Sequence, residues 1–539
     1  MDYLSLCLIC KDENDYLPEW LDYHILMGVE RFYIYDNESR VSLRQTLKEY
    51  IELGWVVVMD IPGKAMQLQA YDHCLQTFGP NSFWMGFIDT DEFLVPKTVL
   101  DLKELLKKYE AYGGLAVSSL FFGSSGQQTR PAEGQIAGYT KSTHATFIEN
   151  ELIKSIVRPS MILSPKTPHD FFYKPAAHCV NESFLRVDNQ HFPHSAKKIQ
   201  LNHYFCRSRA ELEQKLIRGR GDAVELYQRK RFDWVDRYAT FSETTALQNL
   251  QEVLGLSGQK NASMRKKLAQ GELLRLAAGQ ARNIKPQGQL FDVPTRLVLR
   301  EAMTRELVMK AHLNELLKEE NYLELKKLYL EMQKELPEQI ALYIDLVTIL
   351  INLNEPELAW QALAQAWKLA PNSYYVLNSM SNFFLRASNF EMAEKTVRLL
   401  LNIAPLDLQA QAFLTEALLG QGRFEDALKI GVPVIELSAE VGELPKKMGL
   451  YLVKKMADYL SLKQDYAGAI HLWQTGLKCQ PEDVDALLEY SQVLLVTGNN
   501  AGAQQQLTKA RLLAPQNETV LAMLKRVSVA STVSKRRRH

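Results

Sequence analysis

The chain has few of the features that mark secreted or membrane proteins. Its six cysteines among 539 residues follow no disulfide-like spacing, as is typical of a reducing compartment. Cys7 and Cys10 form a C-x-x-C pattern, but in a predicted strand they would point to opposite faces and could not act as a pair. No stretch approaches the roughly 20 apolar residues of a membrane helix, and Lys11, Asp12 and Glu13 come too early for a signal peptide. We therefore expect a cytoplasmic protein.

A net charge is also absent. The 63 basic and 63 acidic residues balance, so no overall field favours a nucleic acid or a membrane as a partner. The local exception is the basic C-terminus, from Lys535 to His539. We predict that residues 528–539 form a disordered basic tail, with a peripheral contact to an anionic inner membrane face as the alternative.

The first half of the chain alternates short apolar runs with amphipathic segments. The runs "LSLCLIC", "RFYIYDN", "WVVVMDI" and "FWMGFID" are typical of buried strands, and helix-like segments separate them. This order predicts right-handed βαβ units on a mainly parallel sheet that is covered on both faces. We therefore predict a doubly wound, Rossmann-like α/β domain over residues 1–240, with its ligand beyond the carboxyl ends of the strands.

A different pattern governs the second half of the chain. Prolines recur every 34 residues, at Pro337, Pro371 and Pro405 and again at Pro481 and Pro515. Alanines keep the same step at Ala359, Ala393 and Ala427 and at Ala469 and Ala503, with eight extra residues between the two sets. A 34-residue helix–turn–helix period is typical of tetratricopeptide repeats. We predict an all-α repeat solenoid over residues 311–527 that binds a protein partner, after a helical connector over residues 241–310.

Acidic side chains follow several of the predicted strands. Asp36, Asp60, Asp89 and Asp91 come directly after apolar runs, and for any single one a turn or helix cap is the simplest explanation. Together they would collect carboxylates at one edge of the sheet, where they repel each other unless a cation intervenes. Mg²⁺ and Mn²⁺ bind through one or two carboxylates plus substrate phosphates. Asp89-x-Asp91 therefore indicates a divalent cation that neutralises a nucleotide diphosphate.

Four stretches carry a resemblance to a known family: "CLICKDENDYLPEWLDYHILMGVERFYIYDNES", "IDTDEFL", "KSIVRP" and "LNHYFCRSRAELEQKLIRGRGD". They resemble the GT-A glycosyltransferases of the family-2-like and family-92-like group, over roughly residues 3–235. The resemblance implies a hexosyltransferase-type enzyme that transfers a sugar from a nucleotide-sugar donor, usually a UDP-sugar, with inversion and with a divalent metal. Whether the acceptor is a polysaccharide, a lipid-linked glycan or a protein stays open, and bacterial surface glycan assembly is the first expectation.

The resemblance also implies roles for individual side chains. Asp89 would contact the donor ribose or the metal, Asp91 would bind the metal, and His203 would be a later metal ligand or else a buried structural histidine. Gly219 and Gly221 would hinge a mobile loop that closes on the diphosphate. The other side chains expected around the donor are Lys11, Glu13, Asp36, Asn37, Gln69, Lys154, Arg158, Lys215, Arg218 and Arg220.

Inverting transfer also needs a general base within reach of the acceptor hydroxyl. The loosely patterned segment 121–203 offers several candidates, of which Asp170 is placed first, followed by His169 and Glu133, with Glu149 as a further one.

Two other functions stay open at this point. A nucleotidyltransferase also combines D-x-D with a metal, but such enzymes usually carry a Gly-rich basic loop after the first strand, where this chain has "CKDEND". The third reading is a catalytically inactive α/β binding module in a repeat scaffold. The intact Asp89, Asp91 and His203 argue against it.

Overall fold

The computed structural model describes residues 1–218, 229–254, 313, 316–317, 319–335, 337–338, 340–441 and 449–536. The chain divides into two compact units, Met1–Val376 and Leu377–His539. Most of the predicted connector lies outside the described residues, as do Gly219, Arg220 and Gly221 of the predicted mobile loop.

A mixed β-sheet forms the centre of the first unit. The strands are β1 (Asp2–Cys10), β2 (Arg31–Asp36), β3 (Val56–Asp60), β4 (Ser82–Phe87), β5 (Glu92–Pro96), β6 (Gly114–Phe121), β7 (Lys141–Ser142), β8 (Ile153–Val157), β9 (Ile162–Pro165), β10 (Phe171–Tyr173), β11 (Cys179–Val180), β12 (Arg186–Val187), β13 (Ile199–His203) and β14 (Phe241–Ser242). The main sheet runs in the order β12-β11-β6-β8-β4-β1-β2-β3, and β13 joins β6 to β5. The pairs β9–β10 and β7–β14 form two small separate sheets.

The sheet is less parallel than the sequence pattern predicts. Strands β4, β1, β2 and β3 are parallel neighbours, as expected for βαβ units. Strand β8 lies antiparallel between β4 and β6. It comes from "IKSIV", in the segment with the looser pattern.

Helices cover both faces of this sheet, which confirms the predicted α/β class. They are α1 (Leu17–Leu26), α2 (Leu43–Thr46), α3 (Lys48–Glu52), α4 (Gln67–Thr77), α5 (Leu102–Leu106), α6 (Gly134–Gly138), α7 (Arg209–Arg218), α8 (Arg229–Tyr238) and α9 (Thr245–Val253). Helices α1, α2, α3 and α5 pack on one face with Leu4 and Leu6, whereas α4 packs on the other. Cys7 and Cys10 belong to different core clusters, so they do point to opposite faces of β1.

Local sequence explains the bounds of α1 and its role. Pro18 lies in the first turn, where its missing N–H removes no helical hydrogen bond. Gly28 follows the helix with a φ of 98°, and a Cβ there would lie 2.2 Å from Asp101 Oδ1, so a glycine is needed for both reasons. The buried Trp20 donates its Nε1–H to the carbonyl of Glu92 at 2.8 Å. Helix α1 therefore fixes the first residue of β5.

The C-terminal half is all-helical and regular. Its helices are α10 (Tyr322–Glu335), α11 (Ile340–Asn352), α12 (Pro356–Leu369), α13 (Tyr374–Arg386), α14 (Phe390–Ile403), α15 (Leu408–Gly420), α16 (Phe424–Val441), α17 (Gly449–Leu462), α18 (Tyr466–Cys479), α19 (Val484–Val496), α20 (Asn500–Leu513) and α21 (Glu518–Arg536). Equivalent helices begin 34 residues apart, as at Ile340, Tyr374 and Leu408. The five repeating alanines are fully buried, which is expected if small residues allow close helix contacts. Helix α16, with 18 residues, is longer than its 14-residue equivalents and contains part of the predicted insertion.

The C-terminus differs from the predicted disordered tail. Helix α21 continues to Arg536 and so covers most of residues 528–539. Val520, Met523 and Val527 form a buried stripe at helical spacing, and this packing carries the helix into the basic segment. Among the described residues, no helix has the length and apolarity needed to cross a lipid bilayer.

The buried His24 makes the stability of the α/β region depend on pH. Its Nε2 accepts from the Leu94 N–H at 3.2 Å, so the neutral ring donates from Nδ1 to the Trp20 carbonyl at 2.8 Å. Burial lowers the pKa of His24 to about 3. Because the folded pKa lies below the unfolded value of about 6.5, the unfolded chain binds more protons and stability falls as the pH drops below that value.

We expect His24→Gln, which does not titrate, to remove this pH dependence. Between pH 7.5 and pH 5, the free energy of unfolding of the wild type should fall by about 2 kcal/mol more than that of the variant. Urea unfolding followed by tryptophan fluorescence measures the difference. Equal pH slopes for the two proteins would contradict the assignment.

Candidate active site

The D-x-D residues lie in a tight turn between β4 and β5. The N–H of Glu92 donates to the Asp89 carbonyl at 3.0 Å, and the Asp89 N–H donates back to Glu92 Oε2 at 2.8 Å. This pair of hydrogen bonds closes the turn and directs Asp89 and Asp91 beyond the end of β4. Glu92 therefore orients the turn. This agrees with its position next to Asp91, because adjacent side chains in an extended chain point to opposite sides.

Each aspartate of the motif has its own lysine. Lys154, on β8, places its Nζ 2.9 Å from Asp89 Oδ2 and 3.4 Å from Glu92 Oε2. Lys215, on α7, places its Nζ 2.7 Å from Asp91 Oδ2. Burial favours the neutral form of Asp91, but Lys215, His203 and Arg207 outweigh it and hold the pKa of Asp91 well below its usual range. These cations thus keep the buried Asp91 ionised.

His203 completes the group at the end of β13. Its Nε2 lies 3.8 Å from Asp91 Oδ1 and its Nδ1 lies 3.7 Å from Glu92 Oε1. Burial is the main cause that raises the pKa of Glu92, to about 7. Within the described part of the chain, no three His, Cys, Asp or Glu side chains form a metal-holding group. Asp91 and His203 fit instead a hard cation that takes two protein ligands and completes its shell with phosphate and water.

Two further side chains belong to this site but were not singled out from the sequence. Gln67, at the start of α4, donates to Asp89 Oδ1 at 2.9 Å. Arg207 donates to Glu13 Oε2 at 2.8 Å, and its buried Nη2 has no hydrogen-bond partner among the described residues. Its field also helps to keep Asp91 ionised. The signal for Arg207 was its place four residues after His203 in a stretch already recognised as similar to the family.

Only some of the other residues predicted to bind the sugar donor lie close to Asp89 and Asp91. Asp36 accepts from the N–H groups of Ser39 and Leu43, so it caps a turn, and Asn37 donates to two backbone carbonyls. Lys11 and Gln69 are partly buried. Arg158 lies beyond the opposite end of β8 from Lys154, where it donates to the Glu110 carbonyl and covers the Phe83 ring. Arg218 is the last residue of α7.

The candidate bases lie in separate places. Asp170 accepts from the Thr167 hydroxyl and forms an ion pair with Lys166 at 3.3 Å. The Nδ1 of His169 lies 2.9 Å from the Ile153 carbonyl, and burial together with Lys154 lowers its pKa well below the usual value. Glu133 precedes the short helix α6 and is partly exposed. Which of these side chains acts as the general base stays a prediction.

The fold and the site together indicate a class of α/β protein. Carboxylates and matched cations beyond the carboxyl end of a central strand are typical of α/β proteins that bind an anionic ligand at that edge. Residues 3–204 match the family model described as Glycosyltransferase family 92, and this range contains Asp89, Asp91, Lys154 and His203. Arg207 and Lys215 lie just beyond it.

Known relatives agree with this match over part of their length. A glycosyltransferase family 92 protein of Ricinus communis is 32% identical over 166 residues, 30% of this chain and 29% of the relative. One from Oryza sativa subsp. japonica is 31% identical over 185 residues, 33% of this chain and 31% of the relative. A galactan beta-1,4-galactosyltransferase of Arabidopsis thaliana is 31% identical over 107 residues, 17% of this chain and 21% of the relative. The chain thus spans less than a third of the length of these relatives.

Solved helical-repeat structures are similar to parts of the chain. The TPR protein YrrB covers 36% of this chain and 97% of its own, with 17% identity and a TM-score of 0.28. PilF of Pseudomonas aeruginosa covers 41% and 99%, with 16% identity and a TM-score of 0.33. These TM-scores are too low to support an inference.

Loss of Lys154 should leave two carboxylates close together without their ammonium group. We expect Lys154→Met to lower the free energy of unfolding by about 3–5 kcal/mol at pH 8, as for other broken buried ion pairs. In that background, Glu92→Gln should recover at least about 1 kcal/mol, because it removes the more deeply buried charge. Urea unfolding measures both steps, and a double variant no more stable than Lys154→Met would contradict this account.

Proposed function

We propose that this chain is a metal-dependent GT-A-type glycosyltransferase. It transfers a sugar, with inversion, from a nucleotide-sugar donor to a hydroxyl group of a glycan. The observation that carries the proposal is the grouping of Asp91, His203 and Lys215 next to Asp89 and Lys154, largely within the segment that matches glycosyltransferase family 92. The helical repeats serve a partner or a long acceptor.

The charges of the site support a need for a metal ion. Its carboxylates are Asp89, Asp91, Glu92 and Glu13, and its permanent cations are Lys154, Lys215 and Arg207. With all of these ionised the group has one excess negative charge, and with Glu92 protonated, since its pKa is about 7, the charges balance. In neither state is there spare positive charge for a nucleotide diphosphate. A bound Mn²⁺ or Mg²⁺ would supply positive charge for the leaving diphosphate. Asp91 and His203 would hold it, and Glu92 would support His203 through Nδ1.

The remaining side chains then have distinct roles toward the donor. Arg207 has a buried N–H available for a phosphate oxygen, and a guanidinium group suits that partner well. Lys154 and Gln67 hold Asp89 in one orientation, ready to accept from a ribose hydroxyl. Lys215 would move its ammonium group from Asp91 toward the phosphates when the donor and the cation bind.

The relatives suggest which substrates to test first. One of them is named for β-1,4-galactan synthesis. UDP-galactose as donor and β-1,4-galactotetraose as acceptor are therefore the first pair, with UDP-glucose and UDP-N-acetylglucosamine as further donors.

Metal-dependent release of UDP from the donor is the direct test. We expect Asp91→Asn to lower Mn²⁺-dependent release at least about 100-fold, because several kcal/mol of charge stabilisation are lost. Asp60→Asn is the matched control, since Asp60 also ends a strand but pairs with Arg44 at the surface. Release that persists in EDTA would refute the metal, and release of pyrophosphate instead of UDP would indicate a nucleotidyltransferase. An equal rate in Asp91→Asn would refute the proposal.

Lys215 and a metal ion should compete for Asp91. Because its ammonium group lies 2.7 Å from Asp91 Oδ2, we expect Lys215→Met to tighten Mn²⁺ binding at least about tenfold through loss of like-charge repulsion. Electron paramagnetic resonance of free Mn²⁺ at pH 7.5, without nucleotide, measures the Kd. Lys166→Met, which removes another buried lysine paired with an aspartate, is the control. An unchanged or weaker Kd in Lys215→Met would show that Lys215 does not oppose the cation.

A further inference from the structure

A cavity of about 660 Å³ lies in the first compact unit, next to β8. Its walls come from β8, the β9–β10 hairpin, the following loop and β12, and from helices α11 and α12. This volume is in the range of ligand sites, roughly 300–1,000 Å³. Its walls include Asp170, one of the candidate bases, but none of the side chains grouped around Asp89 and Asp91.

The charges of its walls balance, and four of them form two ion pairs; the charged residues are Lys166, Lys174, Arg186, Asp170, Asp188 and Glu338. Lys166 pairs with Asp170 at 3.3 Å and Arg186 pairs with Asp188 at 2.8 Å. The Glu338 carboxylate accepts from the Ala176 N–H at 3.3 Å. Because these charges balance, the cavity favours neither an anionic nor a cationic ligand. Its walls still offer hydrogen-bond capacity, because a carboxylate has about four acceptor positions and a guanidinium group has five donors. A neutral, polyhydroxylated ligand suits this chemistry.

Aromatic side chains supply the apolar part of the walls. Phe171 and Tyr173 line the cavity from β10. Tyr173 lies against β6 where Gly113 and Gly114 leave room, since a Cβ at these positions would be 2.7 and 2.5 Å from Tyr173 atoms. Its ring is therefore held in place. A fixed ring beside paired charges suits the apolar face and the hydroxyl groups of a pyranose at once.

The cavity adjoins the candidate donor site through one strand. Lys154 of β8 reaches Asp89, and its neighbours Ile153 and Ser155 line the cavity. His169 contacts both of these neighbours: its carbonyl accepts from the Ser155 hydroxyl, and its ring contacts the Ile153 carbonyl. The cavity and the candidate donor site thus lie on opposite sides of one strand, β8.

We propose that this cavity binds the sugars of the acceptor glycan that are remote from the reacting hydroxyl. The inference rests on the proposed glycosyltransferase function and gives helices α11 and α12 a direct part in substrate binding. It predicts that affinity depends on acceptor length. A tetrasaccharide reaches the cavity, whereas a monosaccharide at the reacting position does not.

Two tryptophan substitutions from opposite walls test the proposal. Ala177→Trp fills the cavity from the loop and Ala341→Trp fills it from α11. Ala132→Trp, at an exposed position outside the cavity, is the control. Isothermal titration of the full chain with β-1,4-galactotetraose, cellotetraose and maltotetraose, without donor, measures binding directly. We expect at least one tetrasaccharide to bind the wild type and the control, and to bind at least tenfold more weakly to each folded cavity variant.

Kinetics separate this proposal from the proposed function. The KM for the tetrasaccharide should rise at least tenfold in the cavity variants, while the KM for galactose and the acceptor-free release of UDP stay unchanged. Tetrasaccharide affinity that survives both substitutions, or no binding by any of the three glycans, overturns the cavity site even if UDP release is normal. Glycan binding without UDP release would overturn the enzyme and leave the cavity as a lectin-like site.

Discussion

The ion pair of Lys154 with Asp89 and Glu92 is the interaction on which the candidate site depends. Lys154 is almost fully buried, and it holds two carboxylates that lie at the end of an apolar strand. Burial alone would favour protonation of these groups. The lysine reaches them because β8 lies antiparallel beside β4. The departure of the sheet from parallel order is therefore what places a cation next to the D-x-D motif.

The sequence predicts the parts of the fold that have a period. Buried strands β1 to β4 and the 34-residue helical step follow from hydrophobic spacing, and the D-x-D turn follows from charge after an apolar run. The pairing of β8 cannot be predicted from the sequence. This strand has five residues and is joined by irregular segments, so no strand–helix–strand pattern indicates its neighbours. The same strand explains why Arg158 is displaced. It is four residues from Lys154, roughly 13 Å along a strand, and it contacts Glu110 and Phe83 there.

Side chains that depend on tertiary contacts were harder to assign. Gln67 and Gln69 are two residues apart on α4, which points them to nearly opposite sides of the helix, and Gln67 is the one that meets Asp89. Sequence spacing cannot choose between them without the rotation of the helix relative to the sheet. Arg207 and Glu13 are far apart in the chain and meet through the fold. By contrast, the D-x-D spacing singled out Asp91 and the family resemblance singled out His203, and the fold brings these two side chains together.

Strand β8 also explains how two unlike ligands could be handled side by side. Alternation sends Lys154 toward the carboxylates and its two neighbours toward the cavity. The charged chemistry that suits a diphosphate is thereby confined to one side, and a neutral, hydrogen-bonding surface lies on the other. Because one rigid strand carries both, a shift of β8 would move both surfaces together. The distance between a bound donor and an anchored glycan would then be set by the sheet and not by a loop.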